Sequence, residues 1–400
     1  VELTLLGTGA PAGLPRPDCP CAACARATGG DARAATALLL DGTLLLDLTP
    51  GSALAAARAG KTLHGVRQVL LSHPHDGPPV EVPAALPQPV RVPDGQELSL
   101  LGGHRVRAVA LDAPGTGYEV AGPDGERLLY LPPEGAVAGH EQVGGPYAMV
   151  LLDVIGRPDG LARLRAAGAV GPTTDVVAVH LDHDVPPGGE LRRRLAAAGA
   201  RPVPDGTTLA VGAYQDVPEP PRRTLVLGGA RSGKSVEAER RLATYPDVLY
   251  VATSGRREGD PDWAARVAAH RARRPGSWRT VETCDLAPLL AAPEEPALLV
   301  DCLALWLTDA MDAVGAWEDA RWERGGARAL AGRVAELAAA VRETRRRVVL
   351  VSNEVGSGVH PETPAGRRFR DELGRLNAAV AAECETVLLA VAGVVTPLRS

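Results

Sequence analysis

The segment Gly228-Gly229-Ala230-Arg231-Ser232-Gly233-Lys234-Ser235 follows the apolar run Thr224–Leu227 and fits G-x-x-x-x-G-K-[ST] in a strand–loop–helix setting. Glycines at this spacing let backbone N–H groups curl around phosphate oxygens at a helix N-terminus. Lys234 would reach the terminal phosphates of a nucleoside triphosphate, and the Ser235 hydroxyl would ligate Mg²⁺. Lysine is otherwise found only at Lys61, although Lys and Arg together number 43. Where arginine is the default cation, a retained lysine points to a site that needs a compact ammonium rather than a planar fork.

Other residues carry chemistry with alternatives attached. Asp301 closes the apolar run Ala297–Val300, where a second-strand carboxylate could hold the same metal through water or simply cap the next helix. His270 stands among Arg271, Arg273, Arg274 and Arg279. A neutral imidazole can attack the α-phosphorus of a triphosphate, forming a phosphoramidate and releasing pyrophosphate, while the arginines steady the phosphates. The same residues also fit the solvent face of an arginine-rich helix. Trp278 could be a core aromatic or a platform for a base. Asn353-Glu354-Val355-Gly356 follows a strand-like run, at the carboxyl end where α/β sheets bind ligands, although a cap and a turn would explain it equally. Cys19-Pro20-Cys21-Ala22-Ala23-Cys24 brings three thiols within reach of one ion; without a metal, three such close thiols would be an oxidation hazard.

The elements that must position these groups fall into two blocks. Four hundred residues, at roughly 150 per domain, predict two or three domains. Apolar residues are 45% and charged residues 23% of the chain, the balance of a globular protein. A net charge of −5 argues against a general nucleic-acid binder. No stretch offers 18 uncharged apolar residues, so no membrane segment is expected. The N-terminal residues lack the basic region of a signal peptide, and six cysteines are too few for a disulfide scaffold; both favour a cytoplasmic protein. The Pro-rich, charged segment 214–223 reads as a linker between a domain at 1–213 and one at 224–400. Before it, short apolar runs between Gly, Pro and Asp suggest an antiparallel-rich sandwich. After it, strand-like runs alternate with helices such as Arg328–Arg345, the pattern of a mostly parallel α/β sheet.

A series of motifs then sharpens the second block. Gly228–Ser235, Tyr250-Val251-Ala252-Thr253-Ser254, Arg266–His270, Trp278–Glu282, Leu299-Val300-Asp301-Cys302, Val351–Gly358 and Phe369–Asn377 occur in this order. Together they closely resemble the bifunctional adenosylcobinamide kinase/adenosylcobinamide-phosphate guanylyltransferase family of cobalamin biosynthesis, over essentially all of 222–400. The resemblance implies a P-loop, RecA-like domain in which the histidine matching His270 becomes guanylylated. It implies nucleotide binding by the P-loop, Thr253, Ser254, Glu282 and Asp301, ATP and GTP as substrates with Mg²⁺, and a trimeric assembly. Asp301 stands where the family often has Glu, and the stretch between His270 and Trp278 is about one residue short; neither change removes a chemical function.

The first block resembles the metallo-β-lactamase fold, an αββα sandwich, nearest its phosphodiesterase branch related to phosphonate degradation. The resemblance rests on Leu6-Gly7-Thr8-Gly9, the cysteine cluster, Leu44–Asp47 and Ser72-His73-Pro74-His75. An active member carries H-x-H-x-D-H, but here its Asp and third His fall on Gly77 and Pro78. The strand bearing the metal-bridging aspartate reads Leu129-Tyr130-Leu131-Pro132-Pro133, with proline where the carboxylate belongs. Only His73, His75 and His180 survive as matches to the ligands, so no dinuclear hydrolase site is expected. His183 matches a fourth structural ligand, implying a Cys19/Cys21/Cys24/His183 zinc site. The alternative is a working phosphodiesterase fused to a P-loop kinase; it requires two metals in the cleft.

Overall fold

The computed structural model describes residues 1–73, 82–139, 145–213, 215, 219–253, 274–292 and 296–400. The chain forms two compact units, Val1–Pro220 and Pro221–Ser400.

The first unit holds β1 (Glu2–Gly7), β2 (Ala37–Leu40), β3 (Leu44–Leu46), β4 (Gln68–Leu70), β5 (Glu97–Ser99), β6 (Arg105–Val109), β7 (Gly117–Ala121), β8 (Arg127–Tyr130), β9 (Met149–Leu152), β10 (Asp175–Ala178), β11 (Arg201–Pro202) and β12 (Thr208–Ala210). They build a five-stranded sheet in the order β12-β1-β2-β3-β4 and a seven-stranded sheet in the order β11-β10-β9-β8-β7-β6-β5. Successive residues of a strand face opposite sides, and in the central strands both sides are covered. Leu38, Leu40, Leu44 and Leu46 join Leu128, Tyr130, Met149 and Leu151 in the core between the sheets. Leu39 and Leu45 face outward, where Ala56 of the helix Ser52–Arg58 covers them. On the far side Leu129, Val150 and Val176 pack against Leu161 and Leu164 of Pro158–Ala166 and Leu191 and Leu195 of Gly189–Ala197.

The unbroken leucine runs of β2 and β3 therefore follow from a four-layer αββα arrangement that covers both faces of these central strands, while the edge strands β5 and β12 carry exposed residues. The second sheet is less antiparallel than the sequence suggested. β8, β9, β10 and β11 are parallel neighbours, and only β5 to β8 run antiparallel. Two of the parallel crossovers are made by those outer helices, which lie between β9 and β10 and between β10 and β11 in the chain.

The second unit holds β13 (Arg223–Gly228), β14 (Val248–Ala252), β15 (Arg279–Glu282), β16 (Ala297–Asp301), β17 (Val348–Asn353), β18 (Thr386–Val391) and β19 (Val394–Arg399). One sheet results, ordered β15-β14-β16-β17-β13-β18-β19, with every pair parallel except β18 with β19. β13 begins at Arg223, inside the stretch read as linker. It is central and buried from Thr224 to Gly228, as a strand covered on both faces must be. The long helix spans Ala327–Glu343. No helix among the described residues is long and apolar enough to cross a membrane.

Candidate functional site

Strand register in the second unit brings the sequence-selected groups to one edge of the sheet. Ala252 pairs with Glu282 on one side and Asp301 on the other, and Asp301 pairs with Val351. Val351 pairs with Val226, so the glycine-rich loop after Gly228 leaves the sheet at the same carboxyl edge. The helix Lys234–Leu242 begins directly after that loop. Its first-turn N–H groups have no intrahelical acceptor and so favour an anion.

The loop is tightly shaped. Arg231 and Gly233 take left-handed backbone angles, φ 58° and 95°. A Cβ on Gly228 would lie 2.4 Å from Ser232 Oγ and 2.6 Å from the Ala390 carbonyl oxygen, so only glycine fits there. Gly393 N–H donates to the Ser232 carbonyl at 2.9 Å, bracing the loop from the β18–β19 turn. Lys234 Nζ donates to the Gly229 carbonyl at 3.1 Å, which curls the ammonium back over the loop. Ser232 Oγ is buried without a hydrogen-bond partner, as expected of a hydroxyl in a cradle built for phosphate oxygens. Gly229, Ala230 and Ser235 complete the loop and the first helical turn.

Around it, Tyr250 donates its hydroxyl to Asp301 Oδ2 at 3.0 Å. The Arg274 guanidinium carbon lies 3.7 Å from the centre of the Tyr250 ring. Glu282 ends the exposed edge strand β15. Two of the expected groups are engaged within the protein. Thr253 is buried, and its hydroxyl is engaged twice within the protein: it donates to the Cys302 carbonyl at 2.6 Å and accepts from Cys302 N–H at 2.9 Å. Its side chain thus ties the ends of β14 and β16 together. Arg279, expected among the cations over the phosphates, opens β15 toward the opposite edge of the sheet, where it pairs with Asp247 at 3.3 Å. Trp278 is a core residue, 8% exposed. Asn353 lends its backbone carbonyl to Asn377 Nδ2 at 3.0 Å, and Asn377 Oδ1 also accepts from Ser352 Oγ at 2.6 Å. Ser254, His270, Arg271 and Arg273 lie outside the described residues.

In the first unit the four zinc candidates converge. Cys19, Cys21 and Cys24 Sγ stand 3.2, 3.6 and 3.6 Å from His183 Nδ1, and all four ligand atoms lie within 4.8 Å of one another. A tetrahedral ion bonded at about 2.3 Å to sulfur and 2.0 Å to nitrogen needs donors about 3.5–3.8 Å apart, so the cluster is close to that size. The short helix Ala22–Arg26 sets the cysteine spacing. Cys21 Sγ caps it by accepting from Cys24 N–H at 3.4 Å, and that bond leads in pulling the Cys21 thiol down to about 6. Behind the cluster, Arg16 Nε donates to Asp182 Oδ1 at 2.9 Å, and the same oxygen accepts from His183 N–H at 2.8 Å, which holds the imidazole loop.

Near the described ligand matches His73 and His180, several polar groups are engaged within the protein. Asp47, wholly buried, accepts from Ser72 N–H (2.7 Å), Ser72 Oγ (2.6 Å) and Tyr130 OH (2.6 Å). His73 Nδ1 contacts Ser72 Oγ at 3.0 Å. His180 Nε2 is 3.1 Å from the Leu131 carbonyl, which makes it a donor and ties up one of the ring's two possible ligand nitrogens. His75 lies outside the described residues. Asp112 is paired with Arg157 and Arg163 at 3.0 and 2.8 Å.

Burial first, and His73 second, depress His180 to about 3. An unfolded chain protonates this histidine near pH 6.5, whereas the folded chain refuses the proton until about pH 3. The contribution to stability is therefore intact above about pH 6.5 and declines as pH falls toward 3, by on the order of a few kcal/mol in all. We expect the first unit of a His180→Gln variant to lose less stability between pH 7 and pH 4.5 than the parent, as read by hydrogen exchange. Asp153, which burial pushes up to about 6, acts in the opposite sense, so the comparison is made against the parent at each pH. Equal slopes would contradict the assignment.

The comparisons with known proteins divide along the same boundary. A family described as cobinamide kinase / cobinamide phosphate guanyltransferase matches residues 224–398. The bifunctional adenosylcobalamin biosynthesis protein CobP of Pseudomonas aeruginosa is 44% identical over 181 residues, covering 44% of this chain and 97% of that protein. Its counterpart CobU of Salmonella typhimurium is 40% identical over 181 residues, covering 42% and 96%. Among solved structures, a diphosphatase of the PhnP family is similar at TM-score 0.40 and 20% identity over 52% of this chain and 97% of that one. Zn²⁺-bound PqqB from Methylobacterium extorquens is similar at TM-score 0.40 and 18% identity over 52% and 100%. The metallo-β-lactamase fold protein YhfI from Bacillus subtilis follows at TM-score 0.37 and 10% identity, over 52% and 98%. Matched from 224 to 398 and aligned with nearly the full length of its bifunctional relatives, the chain belongs to the cobinamide kinase / cobinamide phosphate guanyltransferase family.

Proposed function

We propose that the second unit phosphorylates adenosylcobinamide and then converts the phosphate to adenosylcobinamide-GDP. The observation that carries this reading is the carboxyl edge of one sheet, along which the P-loop, Asp301 and Glu282 all lie. In the first reaction the aminopropanol hydroxyl of the corrinoid attacks the γ-phosphorus of ATP or GTP; the nucleoside diphosphate leaves and the hydroxyl proton is lost. Lys234 and the loop N–H groups, including those of Gly229, Ala230, Arg231, Ser232 and Gly233, gather the charge on the phosphates. Ser235 and Asp301 would hold Mg²⁺, which neutralises phosphate charge when bound.

In the second reaction His270 attacks the α-phosphorus of GTP. A P–N bond forms, the α–β P–O bond breaks and pyrophosphate leaves. The phosphate oxygen of adenosylcobinamide phosphate then displaces the histidine and regenerates it. Arg271, Arg273 and Arg274 supply the nearby cations and Ser254 a further polar contact. Splitting the transfer lets two bulky anions use one site in turn.

For the first unit we infer a structural zinc at Cys19, Cys21, Cys24 and His183 and no hydrolytic role, because Gly77, Pro78 and Pro132 stand where the resemblance places metal ligands. A homo-oligomer, trimeric by resemblance, and a cytoplasmic setting belong to the same proposal, as does the absence of nucleic-acid partners. GTP labelled in the α-phosphate should leave acid-labile label on the chain, whereas γ-labelled GTP should leave none. Failure of α-label to attach under turnover would overturn the covalent route.

A further inference from the structure

Tyr250 is the third residue of β14 and 6% exposed, so in sequence it reads as core. Both its ends are engaged at the nucleotide edge. Register sets Tyr250 beside Leu299 and Ala252 beside Asp301, so the phenol reaches two residues forward to the neighbouring strand's terminal carboxylate. A strand-end aspartate can otherwise turn about χ1 and χ2. The bond from Tyr250 holds Oδ2 and leaves the other oxygen unengaged by this contact.

The ring does separate work. Arg274 lies on its face, and Arg274 Nη1 also donates to Thr280 Oγ1 at 3.3 Å. A guanidinium stacked this way is fixed in plane and direction by the ring. Arg274 is four residues beyond His270. One aromatic side chain thus anchors the carboxylate of strand β16 and the exit of the segment that bears the histidine.

We propose that Tyr250 is a positioning residue for both half-reactions, its hydroxyl orienting Asp301 toward the metal and its ring holding Arg274 toward the phosphates. This rests on the reading of Asp301 and Arg274 given above. The test uses the full chain and a fluorescent GTP analogue, titrated with Mg²⁺ and, separately, in EDTA. Tyr250→Phe should raise the Mg²⁺ concentration for half-maximal tight binding by about tenfold, the size expected for one hydrogen bond to a charged group, and change binding in EDTA by less than about twofold. An unchanged Mg²⁺ requirement, or an equal loss with and without Mg²⁺, would overturn the tether. Asp301→Asn separates the two levels of the argument. If it too leaves the Mg²⁺ requirement unchanged, the metal reading itself fails; if it raises the requirement while Tyr250→Phe does not, only the tether fails. For the ring, Arg274→Gln and Tyr250→Leu should each slow acid-labile labelling from α-labelled GTP by about tenfold or more relative to Tyr250→Phe. Arg274→Gln, which leaves the core ring in place, decides if the leucine variant does not fold; labelling at the Tyr250→Phe rate would overturn this half.

Discussion

His270→Ala is expected to abolish guanylyl transfer while sparing the kinase step. The nucleophile is the one group in the second reaction with no substitute, because water attacking the same phosphorus would yield GMP rather than a guanylylated chain. Removing a covalent nucleophile should lower product formation by about 10³-fold or more, and acid-labile label should vanish altogether. The kinase step asks nothing of the imidazole, so adenosylcobinamide phosphate should still form within about tenfold of the parent rate and accumulate. Lys234→Met gives the contrasting pattern. Its ammonium sits on the loop that serves both triphosphates, so both steps should fall together by about 10²-fold or more. A labelled His270→Ala chain would remove the histidine from the mechanism. Equal loss of both steps in that variant would mean that the side chain shapes the pocket rather than attacks.

The separation of the two steps was legible because a few local patterns determine it. The P-loop needs glycine where a Cβ would strike Ser232 and Ala390, so its chemistry is written in eight consecutive residues. The central strands were equally plain, since a strand covered on both faces must be apolar throughout. Edge strands were not: Arg279-Thr280-Val281-Glu282 is mostly exposed and offers no apolar run. That same blindness misplaced Arg279. Proximity in sequence to His270 suggested a shared cluster, but β15 carries its side chain to the far edge. The bonds that Thr253 makes to the Cys302 backbone were equally hidden, because they join two strand ends far apart in sequence. Tyr250 and Asp301 are 51 residues apart, and only the register of β14 on β16 makes them partners. In the first unit, Pro78 and Pro132 stand in the sequence where the resemblance places ligands. The Asp47–Ser72–Tyr130 bonds join three separate strand ends and have no sequence signal of their own.

Zinc should be found at one ion per chain, and its removal should loosen the first unit alone. Cys21→Ser exchanges a thiolate for a hydroxyl that cannot replace it, leaving three donors around an ion that takes four in a closed site. The cluster ties the loop carrying Cys19 and Cys24 to the strand end at His183, more than 150 residues away in sequence. Metal binding free energy at such a junction appears as local folding free energy. About 3 kcal/mol or more of protection should therefore be lost around residues 14–33 and 180–185 in hydrogen exchange. All five tryptophans lie at 263 or beyond, so tryptophan fluorescence reports the second unit only. That signal, and guanylylation of the chain, should be unchanged in Cys21→Ser. Two zinc ions per chain, with one retained in the variant, would revive the hydrolase reading of the cleft. No zinc in the parent would leave Cys19, Cys21 and Cys24 as free thiols, and the Cys21 thiol, already drawn down to about 6, would then be readily alkylated at neutral pH. Protection of that thiol by stoichiometric zinc is the direct measurement that distinguishes the two.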